Sequence, residues 1–225
     1  MSQPNTTSLY RACDYPKIYL ASQSPRRQEL LQQVGIHFET LLPDADENVE
    51  ALELKLPDEN PRCYVQRVTR LKLEAGLVRF FRRQWIARPI LCADTVVAVD
   101  GEIFGKPRDA DHATMMLMRL SGRTHQVITA VGMVCPPGID YRHGDAMHIV
   151  LSESLVRFRS LSEQEIAGYI TSEEPFGKAG AYAIQGRAAT FIEHISGSYS
   201  GIMGLPLFET VSLLRKINHS STQKL

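Results

Sequence analysis

The sequence has little of what marks a metal knuckle, a disulfide scaffold or a membrane protein. Its four cysteines, Cys13, Cys63, Cys92 and Cys135, stand far apart and form no CxxC pair. That speaks against a zinc knuckle or disulfide framework and for free thiols in a reducing cytosol. Seven histidines are scattered with no HxxxH spacing, so none reads as a zinc ligand. No apolar run approaches the roughly 18 residues of a membrane span, and the first 16 residues lack the apolar core of a signal peptide. The expectation is a cytoplasmic protein with no membrane role. Net charge is missing too: 25 basic residues balance 25 acidic ones. Nothing draws the whole surface to nucleic acid, so any polyanion must be held by a focused site.

At 44% hydrophobic and 22% charged, the 225 residues have the balance of an ordinary packed protein and a length suited to one folding unit. Residues 1–16 and 219–225 read as flexible tails around a single domain, 17–218, which has no internal repeat or low-complexity linker.

Local signals divide that domain into alternating strands and helices. A strand over Lys17–Ala21 runs into a helix in which Ser24 is the cap, Pro25 suits the first turn and Gly35 is the stop after Val34. A strand follows near Ile36–Leu42, then an acidic loop at Asp44 to Glu47. Val65, Val68, Leu71, Leu77 and Phe81 predict a helix from Tyr64 to about Trp85. Ile90–Val99 reads as a buried strand, and Asp100-Gly101 as a hairpin turn. Asp109 caps a helix ending at Ser121-Gly122. Strands over His125–Val134 and His148–Phe158 precede a helix opened by the capping box Ser162 to Glu165. Further strands are expected near Ala181 and Phe191, then a turn at Gly197 and a last helix over Pro206–Asn218. The pattern predicts an α/β fold with a mixed central sheet flanked by helices.

Several residues break the local rules. Arg26 and Arg27 fall in the first turn of their helix, where the macrodipole favours acids. Either they are solvated surface residues, or they join Ser22, Ser24 and the free backbone N–H groups to receive a phosphate chain. Asp94 interrupts ten otherwise apolar or small residues in a buried strand, so it needs a partner, a metal or a raised pKa, unless it caps a neighbouring loop. Thr95, its neighbour, could equally be an ordinary β-branched strand residue. Lys106 sits in the tight Gly105-Lys106-Pro107 loop. Lys72 reads as a solvated helix residue or a phosphate ligand, and Glu47 as a loop carboxylate or a Mg²⁺ ligand. The small residues around Lys178 and Gln185 permit close approach of a ligand, and an amide such as Gln185 can pair with the imide edge of thymine or uracil.

Taken in order, Leu20–Leu31, Ala93–Val97, Gly105–Pro107, Leu120–Gly122, Lys178–Tyr182 with Ile184–Gly186, and Gly204–Leu207 resemble the Maf family from about Lys17 to Asn218. The resemblance implies two lobes around a cleft, as in inosine triphosphate pyrophosphatase-like folds. It also implies a divalent-cation-dependent cut, with Mg²⁺ or Mn²⁺, between the α and β phosphates of a nucleoside triphosphate. It places Asp94 as proton acceptor and Arg26, Thr95 and Gln185 as specificity determinants, similar to the branch acting on dTTP and UTP. Ser22, Ser24, Arg27, Lys72, Lys106 and Lys178 fall to phosphates, Glu47 and Asp94 to metal, and a homodimer is implied. Other implied roles are clearance of modified pyrimidine triphosphates and a part in cell-division arrest, either through catalysis or as a nucleotide-binding regulator. Gly177 stands where the family usually has Asp, and Gly201 where Asn is common; the first departure bears on a contact that orients Lys178 or a metal.

Overall fold

The computed structural model describes residues 15–139 and 147–217. Cys13, most of the expected N-terminal tail, Asn218 and the expected C-terminal tail lie outside the described residues. Strand β1 (Ile18–Leu20) leads through helix α1 (Pro25–Gln33) to β2 (Phe38–Thr40), and α2 (Pro61–Arg83) leads to β3 (Ile90–Val99). Then come β4 (Glu102–Phe104), α3 (Ala110–Leu120), β5 (Thr124–Val134), β6 (Met147–Phe158) and α4 (Glu163–Ile170). The chain continues with β7 (Ile192–Ser196), α5 (Tyr199–Met203) and α6 (Leu207–Leu214). The strands form one seven-stranded sheet in the order β2-β1-β3-β5-β6-β7, with β4 added beside β3. β1 is parallel to β2 and β3, and the β3, β4, β5, β6 and β7 pairings are antiparallel. This is the mixed, helix-flanked α/β sheet that the sequence pattern predicts.

The N-terminal caps follow local chemistry. The side chains of Asn60, Asp109 and Ser162 each accept an N–H from the first turn of α2, α3 and α4, and Ser162 with Glu165 closes the expected capping box. At the hairpin, Asp100 and Gly101 both take positive φ, 53° and 79°, the left-handed pair that a two-residue turn requires.

Alternation along β3 sorts its side chains between two cores. Ile90, Cys92 and Val96 face α2, joined by Val65, Val68 and Leu73. On the other face the core divides. Leu91 and Ala93 pack with Leu31 of α1 and Leu213 of α6, whereas Val97 and Val99 pack with Leu117 and Leu120 of α3. Thr95 stands at the division. The sheet opens at the same level, because β1 pairs with β3 only at Ile90 and Leu91, and β4 only from Val97 to Val99. Among the described residues no strand pairs with 92–96 on that edge, and a cleft of about 410 Å³ lies there.

Four elements differ from the sequence reading. No strand forms near Ala181: Ala179–Ala181 is a 3-10 turn with Gly180 and Ala181 at φ 68° and 60°. Gly180 lies so close to Val97 that a Cβ there would come within 2.7 Å of the valine methyl, so tertiary packing overrides the extended tendency. Arg187–Phe191 is likewise a 3-10 turn, and the strand begins at Ile192. Helix α2 stops at Arg83 because Gln84 turns left-handed, at φ 51°. The last helix begins at Leu207, preceded by the short α5 that Ser198 caps.

Candidate active site

The cleft is built where β1 ends and α1 begins. Ala21 N–H makes the last bond to β3, donating to Leu91 O at 2.8 Å, and the chain then turns through Ser22 into α1. Ser22 Oγ accepts from Ser24 N–H at 3.1 Å and from Arg27 Nη1 at 3.2 Å. Arg27 Nε donates to the Gly204 carbonyl at 2.8 Å, locking α1 onto the end of α5. Ser24 is the N-cap but its side chain makes no capping bond, so the first turn of α1 offers its N–H groups toward the cleft.

Strand alternation sends Asp94 toward α2 and Thr95 to the opposite face. Asp94 is 8% exposed, and Lys72 Nζ donates to its Oδ1 at 2.7 Å and to Glu53 Oε1 at 2.7 Å. Burial alone would pull the Lys72 ammonium down, but Asp94, Cys92 and Glu53 outweigh it and push its pKa up to about 12. The buried aspartate therefore has its required partner, a fixed lysine, and Oδ2 has no hydrogen-bond partner among the described residues. Across the strand, Thr129 Oγ1 donates to the Gly201 carbonyl at 2.7 Å. A hydroxyl has one proton, so in the 2.9 Å contact between Thr95 and Thr129 the donor is Thr95. Thr95 then offers the cleft only lone pairs.

A cationic rim faces this floor. Arg26, Arg27 and Lys178 line the cleft, and no ion pair among the described residues joins any of them to a carboxylate. Burial and then the neighbouring Arg27 lower the Arg26 guanidinium, and burial and then Arg26 lower the Lys178 ammonium. Glu29 and Glu174 offset these shifts only in part, and an entering anion would favour both cations further. Lys106 comes from the Gly-Pro loop after β4, and Gln185 is an exposed residue of the cleft lining.

One cleft thus gathers Ser22, Ser24, Arg26, Arg27, Lys72, Asp94, Thr95, Lys106, Lys178 and Gln185. Glu47 stands apart. Its two oxygens are taken by Arg79 Nε and Nη2 at 2.8–2.9 Å, with Asp44 N–H also donating at 3.1 Å. The buried Arg79, itself on the cleft wall, sets this position: its guanidinium needs the pairing, and Glu47 and the Leu41 carbonyl supply it. The acid beside Asp94 is instead Glu53, which local sequence did not single out. Its Oε2 also receives Lys106 Nζ at 3.2 Å. The available signal was the pair Val49 and Leu52, apolar residues three apart in an acidic run, which turn a short 3-10 segment onto the cleft.

No group of three or more His, Cys, Asp or Glu side chains converges among the described residues. A Mg²⁺-type cation needs only one or two carboxylates when substrate phosphates complete its shell. Asp94, which lines the cleft and has Oδ2 outside its bond to Lys72, fits that requirement.

Among the described residues no helix is long and apolar enough to cross a membrane. The sequence profile of the Maf-like protein family matches residues 17–217. A dTTP/UTP pyrophosphatase of Ralstonia nicotianae is 59% identical over 90% of this chain and 95% of its own length. Those of Burkholderia lata and Albidiferax ferrireducens are each 57% identical, over 89% and 88% of this chain and 93% and 95% of theirs. Among solved structures, the Staphylococcus aureus Ham1 protein aligns with a TM-score of 0.40 and 12% identity, over 63% of this chain and 71% of that one. With a profile match over nearly all of the described fold and relatives this similar along more than nine-tenths of their length, the chain belongs to the Maf-like protein family.

Proposed function

We propose that the protein hydrolyses dTTP and UTP to the nucleoside monophosphate and pyrophosphate, in the cytoplasm and as a homodimer. The carrying observation is the unneutralised cationic rim of Arg26, Arg27 and Lys178 facing a buried, lysine-tethered Asp94. In a chain of zero net charge, that arrangement is a focused site of the kind a polyanion requires. The relatives named above for dTTP and UTP support the same reading.

The triphosphate lies along the first turn of α1, with its oxygens on the α1 N–H groups, Arg26, Arg27 and the lysines. A divalent cation, Mg²⁺ or Mn²⁺, held by Asp94 and the phosphate oxygens would supply Lewis-acid charge at the phosphorus centre. Lys72 fixes Asp94 through Oδ1, and a carboxylate lone pair engaged neither by the lysine nor by the cation takes the proton of the attacking water. Arg27, Lys72 and Lys106 stabilise the charge that builds on the departing pyrophosphate. For the base, Thr95 presents only acceptors, which suits the N3–H of uracil or thymine and repels the bare N3 of cytosine. The Gln185 amide N–H completes the imide edge by donating to a carbonyl oxygen beside N3.

The test is pyrophosphate release from dTTP, UTP, CTP, GTP and 7-methyl-GTP with Mg²⁺, with Mn²⁺ and with chelator. Metal-dependent cleavage favouring dTTP and UTP is expected, and Asp94→Asn lowers kcat about 10²–10⁴-fold, far more than it weakens nucleotide binding. Near-normal turnover by that variant removes Asp94 from the mechanism.

A further inference from the structure

We propose that Glu53 is a built-in occupant of the phosphate position: its carboxylate bridges Lys72 and Lys106 as a phosphate would, and gives way when a triphosphate enters. The proposal rests on the reading that these lysines receive phosphates. Each Glu53 oxygen takes one ammonium, Oε1 on Lys72 at 2.7 Å and Oε2 on Lys106 at 3.2 Å, the arrangement of an anion shared by two cations. The other carboxylate on Lys72, Asp94, touches Lys72 alone.

The side chain is placed to leave without disturbing its surroundings. The segment around Glu53 is anchored by its backbone: Tyr64 Oη donates to the Glu53 carbonyl and Arg67 Nη2 to the Leu54 carbonyl, each at 2.8 Å. Arg67 is itself forked onto Glu59. None of these contacts uses the Glu53 carboxylate, which is 30% exposed on its side chain, so rotation carries it toward solvent while the 3-10 turn stays in place. Lys72 keeps Asp94 throughout and is never left as an unpaired buried charge.

The competition is graded by charge. Burial raises the Glu53 carboxyl, but Lys72 and Lys106 outweigh it and hold it below the ordinary glutamate range, so Glu53 remains an anion at neutral pH. One carboxylate loses to a triphosphate, which also engages Arg26, Arg27 and Lys178. It holds its own against inorganic phosphate, and it helps to expel pyrophosphate once the nucleotide is cut. Glu53 is thus a positioning residue that sets a threshold for polyphosphates and promotes product release.

The experiment is calorimetric titration of the full-length protein with sodium pyrophosphate and with inorganic phosphate, without metal, for wild type, Glu53→Gln and Glu53→Asp. Glu53→Gln is expected to bind pyrophosphate about tenfold more tightly, the scale of one charge-assisted contact removed from competition. Glu53→Asp, which keeps the charge but cannot span both lysines, is expected to lie between. Its fold is checked by melting, so a failure of one variant to fold leaves the other to decide. Adding Lys106→Met to Glu53→Gln is expected to abolish the gain. Equal or weaker binding by Glu53→Gln overturns the proposal. If the half-saturating Mg²⁺ for UTP cleavage then also rises, Glu53 is a metal ligand instead. Pyrophosphate binding by neither wild type nor variant overturns the phosphate assignment of the lysines and the proposal with it. Loss of triphosphate cleavage alone, with the binding pattern intact, would count against the functional reading only.

Discussion

Acidification should destabilise this protein through one histidine, and the size of the effect follows from where it sits. His125 is 2% exposed, packed edge-on against Phe158 and Tyr182, with Nε2 2.8 Å from Tyr182 Oη and Nδ1 buried without a hydrogen-bond partner among the described residues. Burial lowers its pKa from 6.5 to about 4. The unfolded chain therefore binds a proton that the native state refuses as pH falls from 6.5 toward 4. Stability drops across that window and the loss levels off below it. At 1.36 kcal/mol per unit, the loss from this residue is about 2 kcal/mol by pH 5 and about 3 kcal/mol near pH 4. The assay is urea unfolding of wild type and His125→Leu at pH 7.0, 6.0, 5.0 and 4.5. Leucine fills similar space but cannot titrate, so the difference between the two stability curves isolates His125 from carboxylates such as Glu53, whose contribution is lost at lower pH. Parallel curves across this range would refute the argument.

Two further outcomes are expected. Glu47→Gln leaves the buried Arg79 without its counter-charge, at a cost of about 2 kcal/mol or roughly 6 °C in Tm; differential scanning calorimetry measures this, and an unchanged Tm accompanied by a raised Mg²⁺ requirement would return Glu47 to the metal. Gly186→Ala places a Cβ 2.3 Å from Glu174 Oε1, the carboxylate that accepts the Arg187 N–H at 2.9 Å. The displaced turn should cost about 2 kcal/mol and move the adjacent Gln185, reducing the preference for UTP over CTP; unchanged selectivity would show that the turn does not set the base site.

What could be read from sequence was what local chemistry decides. β3 occupies the residues its apolar run marked, the Asp100-Gly101 turn needs only those two residues, and the caps Asp109 and Ser162 are short-range bonds. Asp94 stood out because a charge in a buried strand contradicts its neighbours, and Arg26 and Arg27 because cations contradict a helix start. Glu53, Arg79 and the Ala179–Ala181 turn carry no such local contradiction. Glu53 is defined by Lys72 and Lys106, 19 and 53 residues away, and the turn by contact with Val97. Glu47 was visible as an acid in the right loop, but the arginine that claims it lies 32 residues on.

The interrupted edge of β3 divides the labour of a single strand. Along one side, β5 pairs with it from Ile90 to Ala98 without a break, and this side sets register and holds the two cores together. Along the other, residues 92–96 are released from sheet duty. Substitutions in the loops that flank the gap, after β1 or after β4, can therefore reshape what the cleft admits without unpicking the ladder beneath it. A change on the β5 side, at Thr129 for example, reaches both at once. Selectivity can thus be altered by substitution while the frame that presents Asp94 stays fixed.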